Sequence, residues 1–297
     1  MATLDGESLV AALSSARTSN YLTAAANALF LVDYLHTLPD EIRYMWPAQF
    51  GIPRTLFFAL RYYLFAHIAL SMNTFRRNFT PQGCKAAANA LDVSTVVLIA
   101  VSEVILYYRV YAFSGQSRKM IAFLAVQCTG LLTGAFVLIG KFMGTVQYTT
   151  FPSPEGACLP VIGRIFLLGI GFCLLLVNVG SAMAIMVYIG TQKYRTMGLN
   201  GSSLLRVFYR DSVAYFVLLS LLGAVNIAVC FNTSDSHGSV IAQPQAVIHA
   251  ILSTRMLLHL RAWAHWDIEY EDDMHNAVYP MRIVHHHQVS LDTVAFR

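Results

Sequence analysis

Charge is what this chain has least of. Only 12% of its 297 residues are Asp, Glu, Lys or Arg, against 56% hydrophobic residues. A soluble globular domain carries about 25% charged and roughly 45–50% apolar residues, so the composition excludes that class and places the chain in a bilayer. Further absences narrow the function. The opening, MATLDGESLV, lacks the basic stretch that precedes the apolar core of a cleaved signal peptide. Residues 241–260 contain no lysine for a retinal Schiff base. His249 and His259 stand ten apart with nothing comparable nearby, so the close histidine sets of membrane di-iron enzymes are missing. Neither GxSxG nor HExxH occurs. The expectation is therefore a protein that is not an enzyme and has no metal site and no cofactor. The net charge of +4 is not gathered into a basic stripe interleaved with aromatics, which argues against a nucleic-acid partner. No internal repeat is visible, which weakens an inverted-repeat transporter reading.

What is there is a series of long apolar runs. Crossing the hydrocarbon core takes about 20 mostly apolar residues as a helix. Seven segments qualify, at 18–38, 55–73, 88–111, 119–140, 161–189, 207–231 and 241–260. The first is diluted by Asn20, Thr23, Asn27 and Asp33, and a surface amphipathic helix is the alternative for residues 1–30. The expected fold is an all-α bundle of seven transmembrane helices over 18–261. Residues 1–17 are expected outside, and 262–297 form a cytosolic, disordered tail. That tail holds the acidic cluster Asp267, Glu269, Glu271, Asp272 and Asp273, then His285, His286 and His287, read as a solvated polar run rather than a metal site.

Lys and Arg set the orientation, because cytoplasmic loops carry their excess. With the N-terminus outside, the inner connections and flanks hold ten basic residues: Arg43, Arg54, Arg109, Arg118, Lys119, Lys193, Arg195, Arg206, Arg210 and Arg261. The outer ones hold six: Arg17, Arg76, Arg77, Lys85, Lys141 and Arg164. That favours N-out and C-in. Glycosylation acceptors at Asn78 and Asn232 fall in outer loops, although Asn200 falls in an inner one. Plasma membrane is the expected location.

Two cysteines also fall on the outer side. Cys84 stands at the mouth of the third segment and Cys158 in the Pro-rich loop FPSPEGACLP, which makes them disulfide partners on an oxidising face. The alternative is two free thiols. Cys128 and Cys173 lie inside apolar segments, where a thiol acts as a small hydrophobe, and Cys230 lies near the outer end of the sixth.

Charges inside membrane helices are costly and mark a pathway or a structural pair. Counting from the cytoplasmic ends at about 1.5 Å per residue places Asp33, Arg61, Glu103, Asp211 and Arg255 within roughly 6–12 Å of the inner boundary. A buried charge persists only if paired or hydrated. These five are therefore expected to form one polar cluster, with Arg61 meeting Glu103 across the second and third helices. Asp92 lies in the outer third of the third helix, where it either lines an outward-open cavity with His67 and Asn226 or faces interfacial water.

The stretch from Asp33 to Phe65 carries a family resemblance. Its Asp33-Tyr34, Thr37-Leu38, Asp40-Glu41, Trp46 and LFFALRYY at 56–63 resemble the signature of a fungal family of multi-pass membrane proteins known as domain of unknown function 6533. The runs YYRVYAF at 107–113, RVFYRDSVAYF at 206–216 and STRMLLHLR at 253–261 resemble it too. The resemblance implies architecture and no activity.

In arrangement the chain also resembles rhodopsin-like receptors. Arg109 reaches the cytoplasmic boundary 25 residues after Cys84, which implies an outer disulfide anchor and a cytoplasmic switch on one helix. The chain departs from those receptors at Tyr108, where an acidic residue would precede the Arg, and in lacking an Asn-Pro motif in its last helix. Arg109 can equally be a positive-inside anchor. The functional expectation is a receptor-like bundle sensing a small ligand and signalling to a cytosolic partner. The alternative is a transporter or channel with a polar path through the second, third, sixth and seventh helices, built on Asp92, Glu103 and Arg61.

Overall fold

The structure, a computed structural model, describes residues 6–74, 80–115, 117–150, 158–162, 164–197, 203–232 and 241–278. Seven helices fill these segments: α1 (Gly6–Tyr44), α2 (Ile52–Thr74), α3 (Pro81–Phe113), α4 (Arg118–Thr145), α5 (Ile165–Met197), α6 (Ser203–Asn232) and α7 (Ala242–Val278). Five of them, α2 to α6, are long and apolar enough to cross a membrane, and the chain is accordingly a multi-pass helical membrane protein.

Local chemistry sets several boundaries. Pro81 opens α3, where a missing N–H costs nothing, and the Thr80 hydroxyl caps it by accepting from the Gly83 N–H at 3.1 Å. At the other end Ser114 donates to the Tyr111 carbonyl at 2.7 Å and Gly115 takes a positive φ of 78°, a left-handed stop that turns the chain into α4. The α1–α2 turn is short and tucked in. Met45 and Ala48 are buried, and Arg54 donates to the Ala48 carbonyl while its guanidinium lies 4.2 Å from the Phe50 ring centre.

Three expectations need correction. The first helix does not end near residue 38. It runs through Pro39 to Tyr44, so Glu41 belongs to a helix and not to a connector. The last helix continues to Val278, so 262–278 are helical where a disordered tail was expected. The fifth helix does not begin at 161, because a short hairpin interrupts the helical bundle: β1 (Gln147–Thr150) and β2 (Cys158–Ile162) pair antiparallel, Thr150 opposite Cys158 and Tyr148 opposite Pro160. This hairpin occupies the start expected for the fifth helix at 161 and delays it to 165. It packs against α3 and α1. His285 to His287, Asn78 and the loop around Pro152 and Pro154 lie outside the described residues, as do the side chains of Asp211 and of the acidic cluster at 267–273.

Within the bundle, α3 packs against α2, α4, α5 and α7, and α7 packs against α1, α2, α3 and α6. The main core includes Phe30, Phe57, Leu60, Leu98, Ile105, Met186, Phe216 and Met256. A smaller cluster of Phe142, Val146, Ile165, Phe172 and Cys230 joins α4, α5 and α6 near the hairpin. Gly169 lets α5 and α6 approach closely, since a Cβ there would stand 3.1 Å from the Phe231 ring and 3.3 Å from Cys230 Cβ.

α1 is inside out relative to a helix on a water-soluble protein. Its buried face carries Thr23, Asn27, Asp33, Thr37 and Glu41, while Leu29, Val32 and Leu35 point away from the bundle, Leu35 being 69% exposed. The buried polar positions recur at intervals of four or six residues and so stay on one side of the helix. α7 shows a similar inward stripe in Gln245, His249 and Ser253, four residues apart and all buried. In lipid this is the favourable arrangement, because polar groups gain partners inside and apolar ones meet acyl chains.

Candidate functional site

Arg61 is the largest fully buried side chain, 1% exposed. It sits on α2, and the polar side chains it meets come from α1. Its Nε is 2.5 Å from Glu41 Oε2 and its Nη1 is 3.8 Å from Asp33 Oδ2. Its Nη2 donates to Thr37 Oγ1 at 2.6 Å and to the Tyr34 carbonyl at 3.3 Å. The Tyr34 ring lies 4.8 Å from the guanidinium carbon. Asp33, Thr37 and Glu41 can all reach because spacings of four residues stack them on one face of α1. Glu41 is then completed by two further donors, Tyr62 Oη at 3.0 Å and Trp46 Nε1 at 3.2 Å. On the other side Arg255 Nε of α7 donates to Asp33 Oδ1. Two carboxylates and two guanidiniums thus close a network that sums to zero charge and ties α1 to α2 and α7. Arg255, 37% exposed, forms its open edge.

Glu103 belongs to a different network. It is fully buried on α3, and its Oε2 accepts from Asn178 Nδ2 of α5 at 2.6 Å. Tyr107 Oη donates to Asn178 Oδ1. Ser181 Oγ donates to the Asn178 carbonyl at 2.8 Å and itself accepts from Gln127 Nε2 of α4. On the α7 side His249 Nε2 is 3.7 Å from Glu103 Oε1. The expected contact between Arg61 and Glu103 is therefore replaced by two others. Arg61 turns to α1, and Glu103 turns to α5 and α7. Of the five-residue cluster expected at one depth, Asp33, Arg61 and Arg255 come together, Glu103 stands apart, and Glu41 is the member the sequence reading missed.

The outer-side candidates are also distributed. His67 Nδ1 lies 3.0 Å from Ser94 Oγ, which also accepts from Tyr63 Oη at 3.1 Å. Thr95 Oγ1 donates to Gln243 Oε1 of α7 at 2.9 Å. Asn226 Nδ2 of α6 donates to Gln245 Oε1. Asp92 is half-buried, and among the described contacts none joins it to His67 or Asn226. Arg109 is buried, not spread at a boundary. Asn232 is the last residue of α6, exposed, with its Nδ2 donating to the Ala228 carbonyl at 2.8 Å.

Cys84 is buried and disulfide-bonded. Cys128, Cys173 and Cys230 are free thiols. Cys158 opens β2, with its side chain outside the described residues. No group of three or more His, Cys, Asp or Glu side chains suited to a metal ion occurs among the described residues.

A family of unknown function (DUF6533) matches residues 21–66. That span contains every α1 and α2 residue of the Arg61 network, from Asp33 to Tyr62. No curated protein matches the chain.

Proposed function

We infer that the chain is a seven-helix, receptor-like membrane protein with its N-terminus outside and its C-terminus in the cytosol. It senses a small ligand from outside and signals to a cytosolic partner, at the plasma membrane. The inside-out polarity of α1 supports counting it as a span although its mean hydropathy is low, and the inward stripe of α7 supports the same for that helix. Seven spans put the termini on opposite sides, and the excess of inner Lys and Arg gives the sense. Cys158 is the partner of Cys84, since the other three of the five cysteines are free. The bond fastens the start of α3 to the hairpin on the outer side.

One observation carries the choice of receptor over transporter. Among the described contacts, none joins the polar groups a transport path would use, Asp92, Glu103 and Arg61, to one another. Arg61 and Glu103 sit in separate networks, the first tying α2 to α1 through ion pairs and hydrogen bonds, the second tying α3 to α5 through the hydrogen bond to Asn178. Separate networks joining several helices suit a bundle that switches between packed states better than one that passes a hydrated solute. Basic inner loops around Arg118 and Lys119, both exposed, are where the cytosolic partner docks. Proteoliposomes holding the purified chain test the reading. They should move no solute, and a cytosolic protein that copurifies with the chain should be lost on Arg118→Glu with Lys119→Glu. Solute flux without any partner would refute it.

A further inference from the structure

We propose that Glu103 and His249 form a proton-binding site between α3 and α7, holding one proton between them. The inference rests on the helix-bundle reading but not on the choice between receptor and transporter.

The two acids of the Arg61 network face two arginines. Glu103 has no such partner. Among the described ion contacts its one basic neighbour is the His249 imidazole, Nε2 to Oε1 at 3.7 Å, with both side chains buried. Its other oxygen is taken by Asn178, whereas Glu103 Oε1 and both ring nitrogens of His249 make no hydrogen bond among the described residues. Two unsatisfied, fully buried polar groups thus face each other across an interhelical gap. An ionised carboxylate isolated at such a site is costly unless compensated, and the imidazole is the compensating group at hand.

Among the described residues, the remaining groups that contact Glu103 or its partners carry no fixed charge. From α4 come Cys128, close enough to interact with the carboxyl electrostatically, and Gln127. From α5 come Asn178 and Ser181. On α3 itself Tyr107 is bound to Asn178, and Arg109 stands six residues further on. From α2, Tyr63 and His67 are engaged by Ser94, more than two turns away along α3. On α7, Ser253 is one turn from His249, and Arg255 is held by Asp33. From β1, no charged residue is contributed, its sequence being QYTT.

The proton has two places. On Glu103 Oε1 it leaves both groups neutral. Moved across the gap to His249 Nε2, it leaves a carboxylate held by Asn178 beside an imidazolium. Neither form has net charge, so the transfer between them costs little compared with gaining or losing a proton. A second proton makes the pair +1, and loss of the one makes it −1. Because Asn178 is fixed to Tyr107, and Ser181 to Gln127, a change of charge at this pair acts on α3, α4, α5 and α7 together. In a sensing bundle the proton is a ligand that biases packing. In a transporting one it would be the coupled ion.

Infrared titration of the full chain in nanodiscs between about pH 4 and 9, a range covering ordinary carboxyl and imidazole titration, tests the site. The wild type should show a protonated-carboxyl band that Glu103→Gln removes. In His249→Gln, which keeps the carboxyl, the midpoint of that band should move by at least about one pH unit, as interacting sites require. A band absent from the wild type, or one with the same midpoint in His249→Gln, would overturn the proposal. If Glu103→Gln does not fold, Glu103→Asp must retain a band whose midpoint still responds to His249→Gln. Carbonate extraction of the same membranes separates the cases, since a chain that washes off refutes the bundle reading while one that stays isolates failure to the proton site.

Discussion

Replacing Arg61 is the most demanding test of the packing described here. Arg61→Met preserves much of the side-chain length but removes the cation that meets Glu41 at 2.5 Å and Asp33 at 3.8 Å, together with the bond to Thr37. The two acids are left unequally. Asp33 keeps Arg255, whereas Glu41 keeps only the neutral donors Tyr62 and Trp46. Stripping one partner from a buried pair costs about 3–5 kcal/mol. The lower end is expected, because a chain unfolded within a membrane finds other polar partners. Glu41→Leu alone should also destabilise, by leaving Arg61 with Asp33 as its one acid. The double variant should lose much less than the sum, with a coupling on the order of 2 kcal/mol between residues in direct contact. Arg255→Met should cost less than Arg61→Met, since Arg255 is much the less buried of the two. Thermal unfolding in nanodiscs, followed by exposure of the buried thiols of Cys128 and Cys230, provides the assay. The companion cycle of Arg61→Met with Glu103→Leu should be additive. Strong coupling there, or additivity between Arg61 and Glu41, would refute the assignment of partners.

The α5–α6 contact and the outer strap give further expectations. Gly169→Ala should destabilise by about 1–3 kcal/mol, because its new methyl meets Phe231 and Cys230. Gly130→Ala on α4 meets nothing within 4 Å and should be neutral or stabilise by up to about 1 kcal/mol; a thermal midpoint lowered by both would contradict the packing. Alkylation of the unfolded chain should label three thiols before reduction and five after it. Cys158→Ser should expose Cys84 to labelling and lower stability by a few kcal/mol, because the proposed bond would close a loop around α3 and α4. A Cys84 still protected in Cys158→Ser would assign it a different partner.

Architecture was legible where length and apolarity were enough: each of the seven predicted runs overlaps one helix, although α1 and α7 extend well beyond theirs and α5 starts four residues late. Partnership was less legible, for a physical reason. Depth follows from counting residues along a helix, but which way a side chain faces depends on the neighbours it packs against. By that count Arg61 and Glu103 match in depth, yet they face different helices. The sequence did hold a signal for the true partner. Asp33, Thr37 and Glu41 continue one helical face past Pro39, and ending the first run at residue 38 hid it. Pro within a membrane helix is tolerated when neighbouring groups satisfy the backbone it disturbs, and Arg61 reaches the Tyr34 carbonyl in that region. The pairing of Glu103 with Asn178 and His249 was hidden differently. It joins residues 75 and 146 positions apart, and neither partner stands out in an apolar run except as a polar exception on its inward face.

The most direct test of the central claim, seven crossings with α1 and α7 among them, is glycosylation mapping. In a chain with Asn78 and Asn232 replaced by Gln, an acceptor sequence is placed either ahead of Gly6 or after Val278, and mass is compared before and after glycosidase treatment. The account predicts modification at the N-terminal acceptor and none at the C-terminal one. Modification of both, or of neither, would contradict an odd number of crossings, and modification of the C-terminal acceptor alone would reverse the orientation.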